Sequence, residues 1–272
     1  MSIIGKEILN YRIISMIDKD CMCDIYLAEH VIVRTLKVVI KMIIADRVND
    51  FTYRILENRV RHLAKFNFHN IVSFYGCHID KEGNIYLIKE YIEGETIEQH
   101  VNKCGAYYLD EAINLMVKIL EAVQFIHDRH LIHRYINPLN IMIRPKGIVC
   151  IDFDVTKDTC IGVTRQLVGR NIDIDVYMSP EQVVGLNVDH RTDIYSLGCV
   201  FYYLLTGKHA VHEGKNEVET MSNIIDNIMP LPSQACSSIP ASVNKVFLKS
   251  VDKNMMKRYK TAYEFKEALE NV

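Results

Sequence analysis

The stretch that decides the fold is LIHRYINPLNIMI at residues 131–143, in which polar residues stand between two apolar ends. Three segments follow it: IDFD at 151–154, YMSPEQ at 177–182 and DIYSLGCVFYYLLTGK at 193–208. A fourth segment, VVIK at 38–41, precedes it. One short motif is weak evidence, whereas several motifs in a fixed order and at fixed spacing define a fold.

The chain before this stretch favours β-structure. Residues 11–44 hold three runs rich in β-branched residues, which predict an antiparallel meander. Apolar residues at roughly helical spacing predict a helix within 51–66. The runs at 70–80 and 84–92 predict two more strands, joined by a turn that contains Gly83.

The chain after residue 92 favours helices. A long amphipathic helix is predicted from Leu109 to His127, two short strands flank the turn at 145–147, and the chain from about Pro180 is mostly helical by its period. We therefore predict an α+β fold with two lobes. Its parts are an N-terminal extension (1–10), a small lobe of five antiparallel strands and one main helix (11–92), and a larger helical lobe (93–272).

Composition excludes several classes of protein. The 272 residues carry a formal net charge of -2, so the basic excess typical of nucleic-acid binders is missing. We also expect no membrane partner, because no stretch of about 18 uncharged apolar residues occurs. The eight cysteines show one close pair, Cys21 and Cys23, which is not a usual zinc spacing. Reduced thiols in a cytoplasmic protein are the expected state.

These segments resemble those of protein kinases, especially bacterial serine/threonine kinases of the eukaryotic type, from about Tyr11 to the C-terminus. In that family LIHRYINPLN corresponds to the catalytic loop, IDFD to the metal-binding Asp-Phe-Gly and YMSPEQ to Ala-Pro-Glu. Phosphoryl transfer there depends on positioning and charge neutralisation around Mg-ATP. The resemblance matches Lys41 to the phosphate-binding lysine, and Asn140 and Asp152 to the two magnesium ligands. A surface lysine and a turn asparagine are the plain alternatives for Lys41 and Asn140.

Several positions depart from the family's reaction centre. Tyr135 stands where the catalytic loop has its aspartate base, and a phenol with a pKa near ~10 carries no charge at neutral pH. Asn137 replaces the loop lysine, and Asp154 replaces the glycine of Asp-Phe-Gly. The position of the helix glutamate that holds Lys41 falls on Arg59, and a cation there would oppose the active arrangement.

The phosphate-binding loop of the family is also altered. Its three glycine positions fall on Asp18, Asp20 and Cys23, so side chains stand where backbone N–H groups would approach phosphate. Two of those side chains are anions, which repel a triphosphate. An acidic, solvated hairpin turn is the simpler interpretation, and both interpretations predict that no phosphate cradle forms.

The nucleotide-base site looks crowded. Val39 replaces a small alanine, and Lys89 occupies the usually apolar position at the start of the hinge KEYI. Two alternatives stand for Lys89: its ammonium pairs inside with an acid such as Asp152, or it reaches out to solvent. Matched to the same site are Ile25, Glu90, Ile92 and Met142.

Residues that hold the family's framework are kept. Asp193 matches the helix aspartate that binds the catalytic-loop backbone, and Glu181 and Arg258 match an ion pair of the large lobe. The family's hydrophobic column corresponds to His133, Phe153, Leu63 and Phe74. The threonine that contacts the base is replaced by Ile174. Three loop threonines, which are candidates for phosphorylation, are Thr156, Thr159 and Thr164.

The pattern of kept framework and lost reaction centre predicts a pseudokinase: a scaffold or allosteric regulator of a protein partner, itself a kinase or a kinase substrate, that needs no cofactor. Two alternatives remain open. One is an atypical serine/threonine kinase that binds Mg-ATP through Lys41, Asn140 and Asp152 and uses Asp154 as base. The other is a nucleotide sensor that binds ATP without turnover.

Overall fold

The computed structural model describes residues 3–19, 23–45, 68–144, 149–151 and 174–272. These residues divide between two compact units, and the chain passes from the first to the second between Glu93 and Gly94. The helix predicted within 51–66 and the residues Arg59, Asp152 and Asp154 lie outside the described parts. So do Asp20, Leu63, Phe153 and the three loop threonines.

The first unit is built on one antiparallel sheet. Its described strands are β1 (Glu7–Ile8), β2 (Tyr11–Lys19), β3 (Cys23–His30), β4 (Lys37–Ile43), β5 (Phe74–Ile79) and β6 (Ile85–Glu90). They lie in the order β1-β2-β3-β4-β6-β5, so the meander predicted for residues 11–44 is confirmed. Gly83 lies in the β5–β6 turn with φ of +81°, a backbone conformation that glycine adopts without strain.

The described sheet has six strands where the sequence predicts five. The additional strand is β1, which pairs with the start of β2 through Glu7↔Arg12 and Ile8↔Tyr11. Ile8 is only 2% exposed and belongs to the hydrophobic core. Residues 7–8, placed by the sequence analysis in an extension, therefore add an edge to the sheet because burying one isoleucine stabilises that pairing.

The two faces of this sheet differ in chemistry. Residues directly opposite each other on neighbouring strands point to the same side. One face is purely apolar at its centre, with Val38, Ile40 and Ile88 all buried in one cluster. The opposite face carries two lysines among apolar residues, because Lys41 pairs with Leu87 and Lys89 pairs with Val39.

The second unit is mainly helical. The long helix appears at the predicted position, Leu109–His127, and buries eight residues along one side. Helix Arg191–Thr206 is buried along nearly its whole length, which fits its apolar sequence. A small sheet of β7 (Glu95–Thr96), β8 (Ile141–Ile143) and β9 (Val149–Ile151) confirms the two short predicted strands and adds β7.

We number the described helices α1 (Ile97–Cys104), α2 (Leu109–His127), α3 (Pro180–Val183), α4 (Arg191–Thr206), α5 (Glu217–Asp226), α6 (Pro232–Ala235), α7 (Ala241–Ser250) and α8 (Ala262–Glu270). A short 3-10 helix spans Met255–Lys257. Within the described residues, none of these helices has the length and apolar character needed to cross a bilayer.

Candidate active site

In the first unit, Lys41 and Lys89 lie on the same face of the sheet. Lys41 is 2% exposed and Lys89 is 7% exposed. Both the interpretation of Lys41 as a surface lysine and that of Lys89 as a solvated lysine are therefore wrong. The other alternative for Lys89, a pairing with Asp152, involves a residue outside the described parts of the chain and stays a prediction.

The two lysines are diagonal neighbours on β4 and β6, since Val39 faces Lys89 and Lys41 faces Leu87. Such neighbours lie about 7–8 Å apart. This is the spacing of the backbone positions, and it places two buried lysine side chains next to each other on one face of the sheet.

The other residues matched to the nucleotide site of this unit do not all share that face. Ile25 of β3 pairs with Lys41 of β4 and so lies on the same face as Val39, whereas Glu90 pairs with Val38 and points to the opposite face. Glu90 ends β6 and accepts a hydrogen bond from the backbone N–H of Ser73 through Oε2 at 3.2 Å, and Ile92 is 5% exposed just beyond. Glu90 therefore ties the end of β6, where the hinge begins, to the residue just before β5.

The phosphate-loop positions in this unit show no glycine-like geometry in their described part. Asp18 lies near the end of β2, is exposed and accepts a hydrogen bond from the N–H of Lys19 at 2.8 Å. Cys23 begins β3 and is fully buried. An exposed carboxylate and a buried thiol at these two positions both speak against a phosphate cradle.

In the second unit, Asp193 organises the catalytic-loop segment. Its side chain is fully buried, and its two oxygens accept hydrogen bonds from the backbone N–H of His133 at 2.8 Å and of Arg134 at 2.7 Å. This confirms the role predicted for Asp193. Arg134 takes a left-handed backbone conformation with φ of +66°, which is unfavourable for a residue with a side chain. The bonds to Asp193 hold the loop in this shape.

His127, at the end of α2, is a functional residue that the sequence analysis missed. Its Nε2 donates to Asp193 at 2.8 Å, while its buried Nδ1 has no hydrogen-bond partner in the parts of the chain described. Burial alone would raise the pKa of Asp193, but the hydrogen bond and charge of His127 and the backbone donor of His133 lower it. The carboxylate is therefore held ionised in the core of this unit.

Asn140 is oriented as a metal ligand would need. Its Nδ2 donates to the backbone carbonyl of Tyr135 at 2.8 Å, and this fixes the amide so that its oxygen is left for another partner. Amide and carboxylate oxygens are the ligands that magnesium accepts in proteins. Asn140 therefore fits the role of one magnesium ligand, while the second matched ligand, Asp152, lies outside the described residues. Met142 follows in β8, partly buried.

Tyr135 occupies the base position within this otherwise ordered loop. Its backbone N–H donates to His133 Nδ1 at 3.3 Å, and its carbonyl accepts from Asn140. The loop backbone therefore has its framework of hydrogen bonds, but the side chain at the base position is a phenol rather than a carboxylate.

Asn137 makes a contact that the sequence analysis did not anticipate. Its Nδ2 donates to Oδ2 of Asp175 at 2.8 Å, and its Oδ1 accepts from the N–H groups of Leu139 and Asn140, each at 3.1 Å. The sequence does show an amide at the loop lysine position and an acid directly after Ile174. Neither residue by itself indicates that the other is its partner.

The predicted ion pair of Glu181 and Arg258 is confirmed. Two hydrogen bonds of 2.6 and 2.8 Å join the guanidinium to the two carboxylate oxygens, and the side chains of Arg258 and Glu181 are 0% and 6% exposed, respectively. Burial would raise the pKa of Glu181, but the hydrogen bonds and charge of Arg258 lower it below its usual value. A bidentate pair of this kind is geometrically specific.

An antiparallel sheet with a buried lysine, and a helical unit in which a buried aspartate holds a His-Arg loop, together define the protein-kinase class of fold. The sequence matches the family model of the protein kinase domain over residues 26–271. The chain belongs to the protein kinase family.

Its similarity to bacterial serine/threonine kinases is substantial. The chain is 32% identical over 267 residues to the serine/threonine-protein kinase PrkC of Bacillus subtilis, which covers 96% of this chain and 40% of PrkC. It is 31% identical over 240 residues to the serine/threonine-protein kinase PknB of Mycobacterium leprae, covering 86% of this chain and 38% of PknB. The chain therefore spans about two fifths of the length of these relatives.

Solved structures share the fold. The PknI kinase domain of Mycobacterium tuberculosis superimposes with a TM-score of 0.76 at 18% identity, covering 98% of each chain. The structure of Rad53 1-466 in complex with AMP-PNP gives a TM-score of 0.79 at 19% identity, covering 97% of this chain and 66% of that one. The protein thus has the two-lobed kinase fold, with a β-sheet lobe and a helical lobe.

Proposed function

We propose that this protein is a pseudokinase, which uses the kinase fold to bind a protein partner and does not transfer phosphate. The observation that carries the proposal is Tyr135: a phenol stands at the base position of a loop whose hydrogen-bond framework is otherwise kept. A general base typically contributes about 10²–10⁴ to the rate of a reaction. A neutral phenol cannot accept the proton as a carboxylate does.

Further departures support the same proposal. The loop lysine is replaced by Asn137, which is already engaged with Asp175 and carries no charge for a transferring phosphate. Asp18 places an exposed anion at a phosphate-loop position. Each change removes a different contribution to phosphoryl transfer, although such contributions are not additive.

The expected role is that of a scaffold or allosteric regulator, and the expected partner is a kinase or a kinase substrate. No cofactor is required for this role. We place the protein in the cytoplasm, a reducing compartment, because Cys23, Cys77, Cys104, Cys199 and Cys236 are all free thiols. This chain spans about two fifths of the length of the relatives, and the proposal concerns that part alone.

A nucleotide-binding function is the second candidate, as an atypical kinase or as a sensor without turnover. Two observations favour it: the fixed amide of Asn140, whose oxygen suits a magnesium ion, and the buried Lys41, whose ammonium suits a phosphate. Bound Mg-ATP would supply the transferable phosphoryl group, held by Lys41, Asn140 and Asp152. Asp154 would then be the candidate base for a kinase.

A radiolabel assay tests the pseudokinase proposal directly. We expect the purified protein to transfer no γ-phosphate from ATP to itself or to a general acceptor protein. Tyr135→Asp restores only the base, so we expect it to remain inactive while the phosphate loop and the residue at position 59 are unchanged. The matched control is Asp152→Asn. Transfer by the unaltered protein that disappears in this control would refute the proposal and establish the atypical kinase.

Thermal unfolding with ATP separates a protein that binds nucleotide from one that does not. A ligand at 100 times its dissociation constant stabilises a protein by about 2.7 kcal/mol. We expect no shift for the unaltered protein, with or without magnesium, because Lys89 fills the sheet face that carries Lys41. Lys89→Ala removes most of this side chain and empties part of the face, and we expect a shift with ATP to appear.

The control for this experiment is Lys37→Ala, since Lys37 is an exposed lysine of β4, with its ammonium 5.9 Å from the centre of the Tyr91 ring. It should behave like the unaltered protein. A magnesium-dependent shift in the unaltered protein would favour the nucleotide sensor instead. The absence of a shift in Lys89→Ala would show that Lys89 is not what excludes the nucleotide.

A further inference from the structure

The segment from Asp175 to Gln182 is joined to the catalytic loop by side chains at both of its ends. At the first end, Asn137 Nδ2 donates to Asp175 Oδ2 at 2.8 Å. At the second end, Gln182 Nε2 donates to the carbonyl oxygen of Arg134 at 2.8 Å. Residues far apart in sequence thus hold this segment against the loop.

In the first of these ties Asn137 is buried and Asp175 is half-buried. Asn137 is 2% exposed, and its amide oxygen accepts two backbone hydrogen bonds while its nitrogen serves Asp175. A hydrogen bond to an ionised carboxylate is about twice as strong as one between neutral groups. Because water has little access to Asn137, the bond to Asp175 is not readily replaced by solvent.

Asp175 also shapes the start of the segment itself. Its Oδ1 accepts from the N–H of Tyr177 at 3.0 Å, and its carbonyl accepts from the N–H of Met178 at 2.9 Å. Tyr177 is then fixed further, because its carbonyl accepts from Ser196 Oγ at 2.8 Å and its hydroxyl meets His209 Nδ1 at 3.0 Å. The carboxylate of Asp175 therefore links the catalytic loop to a turn in which Tyr177 is held by Ser196 and His209.

We infer that Asp175 is a positioning residue, which with Asn137 holds the segment 175–182 against the catalytic loop whether or not the preceding segment is phosphorylated. The pair takes the place of a contact that this chain has lost: the resemblance puts a hydroxyl at position 174 and a carboxylate at position 135, but Ile174 and Tyr135 stand there. The inference goes beyond the proposed function and does not depend on it, since it concerns the position of a segment and not catalysis.

Substitutions that exchange the two partners give a sharp test. In Asp175→Asn, the new amide has one acceptor oxygen and one donor nitrogen. Whichever way the amide is turned, its nitrogen faces one of the two donors, Asn137 Nδ2 or the Tyr177 N–H, so one hydrogen bond is lost. In Asn137→Asp, two carboxylates face each other. The double variant Asn137→Asp with Asp175→Asn restores the hydrogen bonds described above, because the new amide donates to the new carboxylate and still accepts from Tyr177.

Hydrogen exchange of a peptide covering 174–183 measures the position of the segment. The protein is first dephosphorylated and its mass checked. We expect each single variant to raise the exchange rates of the Tyr177 and Met178 amides by about 10-fold or more, as loss of a hydrogen bond to a charged group implies. We expect the double variant to return them to within about 2-fold of the unaltered protein. The matched control is Asp110→Asn, an exposed acid in the first turn of α2, which should change nothing there.

Three results would overturn the inference: unchanged exchange in the single variants, a folded double variant that is not restored, or a rise in exchange when Thr156, Thr159 and Thr164 are all replaced by alanine. Circular dichroism verifies folding, and if Asn137→Asp does not fold, Asp175→Asn and the double variant suffice. The measurement needs no catalytic assay. Phosphate transfer by the protein would therefore refute the pseudokinase proposal and leave this inference standing.

Discussion

Arg258→Met is expected to lower the free energy of unfolding of the helical unit by about 3–5 kcal/mol. Removing one partner of a buried ion pair leaves the other charge without compensation in a medium that solvates it poorly. Glu181, at 6% side-chain exposure, would be that uncompensated charge. Urea unfolding followed by circular dichroism measures the loss as a fall in the midpoint at unchanged slope.

Two control variants separate the ion pair from a general loss of charge. Lys266→Met breaks a more exposed pair with Glu121 in the same unit, where the two side chains are 19% and 41% exposed, respectively. It should cost at most about 1 kcal/mol. The double variant Glu181→Leu with Arg258→Met buries no charge and should recover part of the loss. A single-variant loss no greater than that of Lys266→Met would contradict the expectation.

The pH dependence of this variant provides an independent check. In the unaltered protein the pKa of Glu181 lies below its usual value of 4.5, so the pair stabilises the fold above that pH and is lost as the pH falls through the lowered pKa. In Arg258→Met, the buried carboxyl has lost its cation and its pKa rises. The deficit relative to the unaltered protein should therefore be largest near pH 7 and shrink towards pH 4.

Much of this architecture could be predicted from local patterns. The strand around Lys41 and the hairpin at Gly83 could be predicted, because the preferences of β-branched residues for strands and of glycine for turns depend on local sequence. The helix Leu109–His127 was predicted because an apolar stripe at helical spacing needs no knowledge of its partner. The resemblance then gave the ion pair of Glu181 and Arg258.

The features that sequence reasoning missed depend on distant contacts. Asn137 and Asp175 are 38 positions apart, and no spacing rule joins an amide to an acid over that separation. His127 and Asp193 are 66 positions apart, and a histidine at a helix end is more often unremarkable. β1 was missed because its two residues are too few to show an alternating pattern. The burial of Lys89 could be predicted only with the register of β4 and β6, because that register fixes the face of the sheet to which Lys89 points.

Asp193→Asn is expected to destabilise the helical unit by about 3 kcal/mol and to loosen the catalytic loop more than any other part. The carboxylate receives donors from His127, His133 and Arg134. An amide offers one oxygen, so its nitrogen must face at least one of these donors. Burying an unsatisfied donor costs about 1–3 kcal/mol, and loss of the charge weakens the remaining bonds.

The expected consequence for the loop follows from Arg134. Its left-handed conformation, with φ of +66°, is unfavourable by itself and persists because Asp193 holds its N–H at 2.7 Å. Without that bond the residue should relax, and exchange of the 133–140 amides should rise before the unit unfolds. We therefore expect Asp193→Asn to unfold at a lower urea concentration than the unaltered protein. We also expect faster hydrogen exchange in the loop when no urea is present. A variant that loses stability with no selective increase at 133–140 would mean that Asp193 serves the core alone, and that Arg134 is held by its other neighbours.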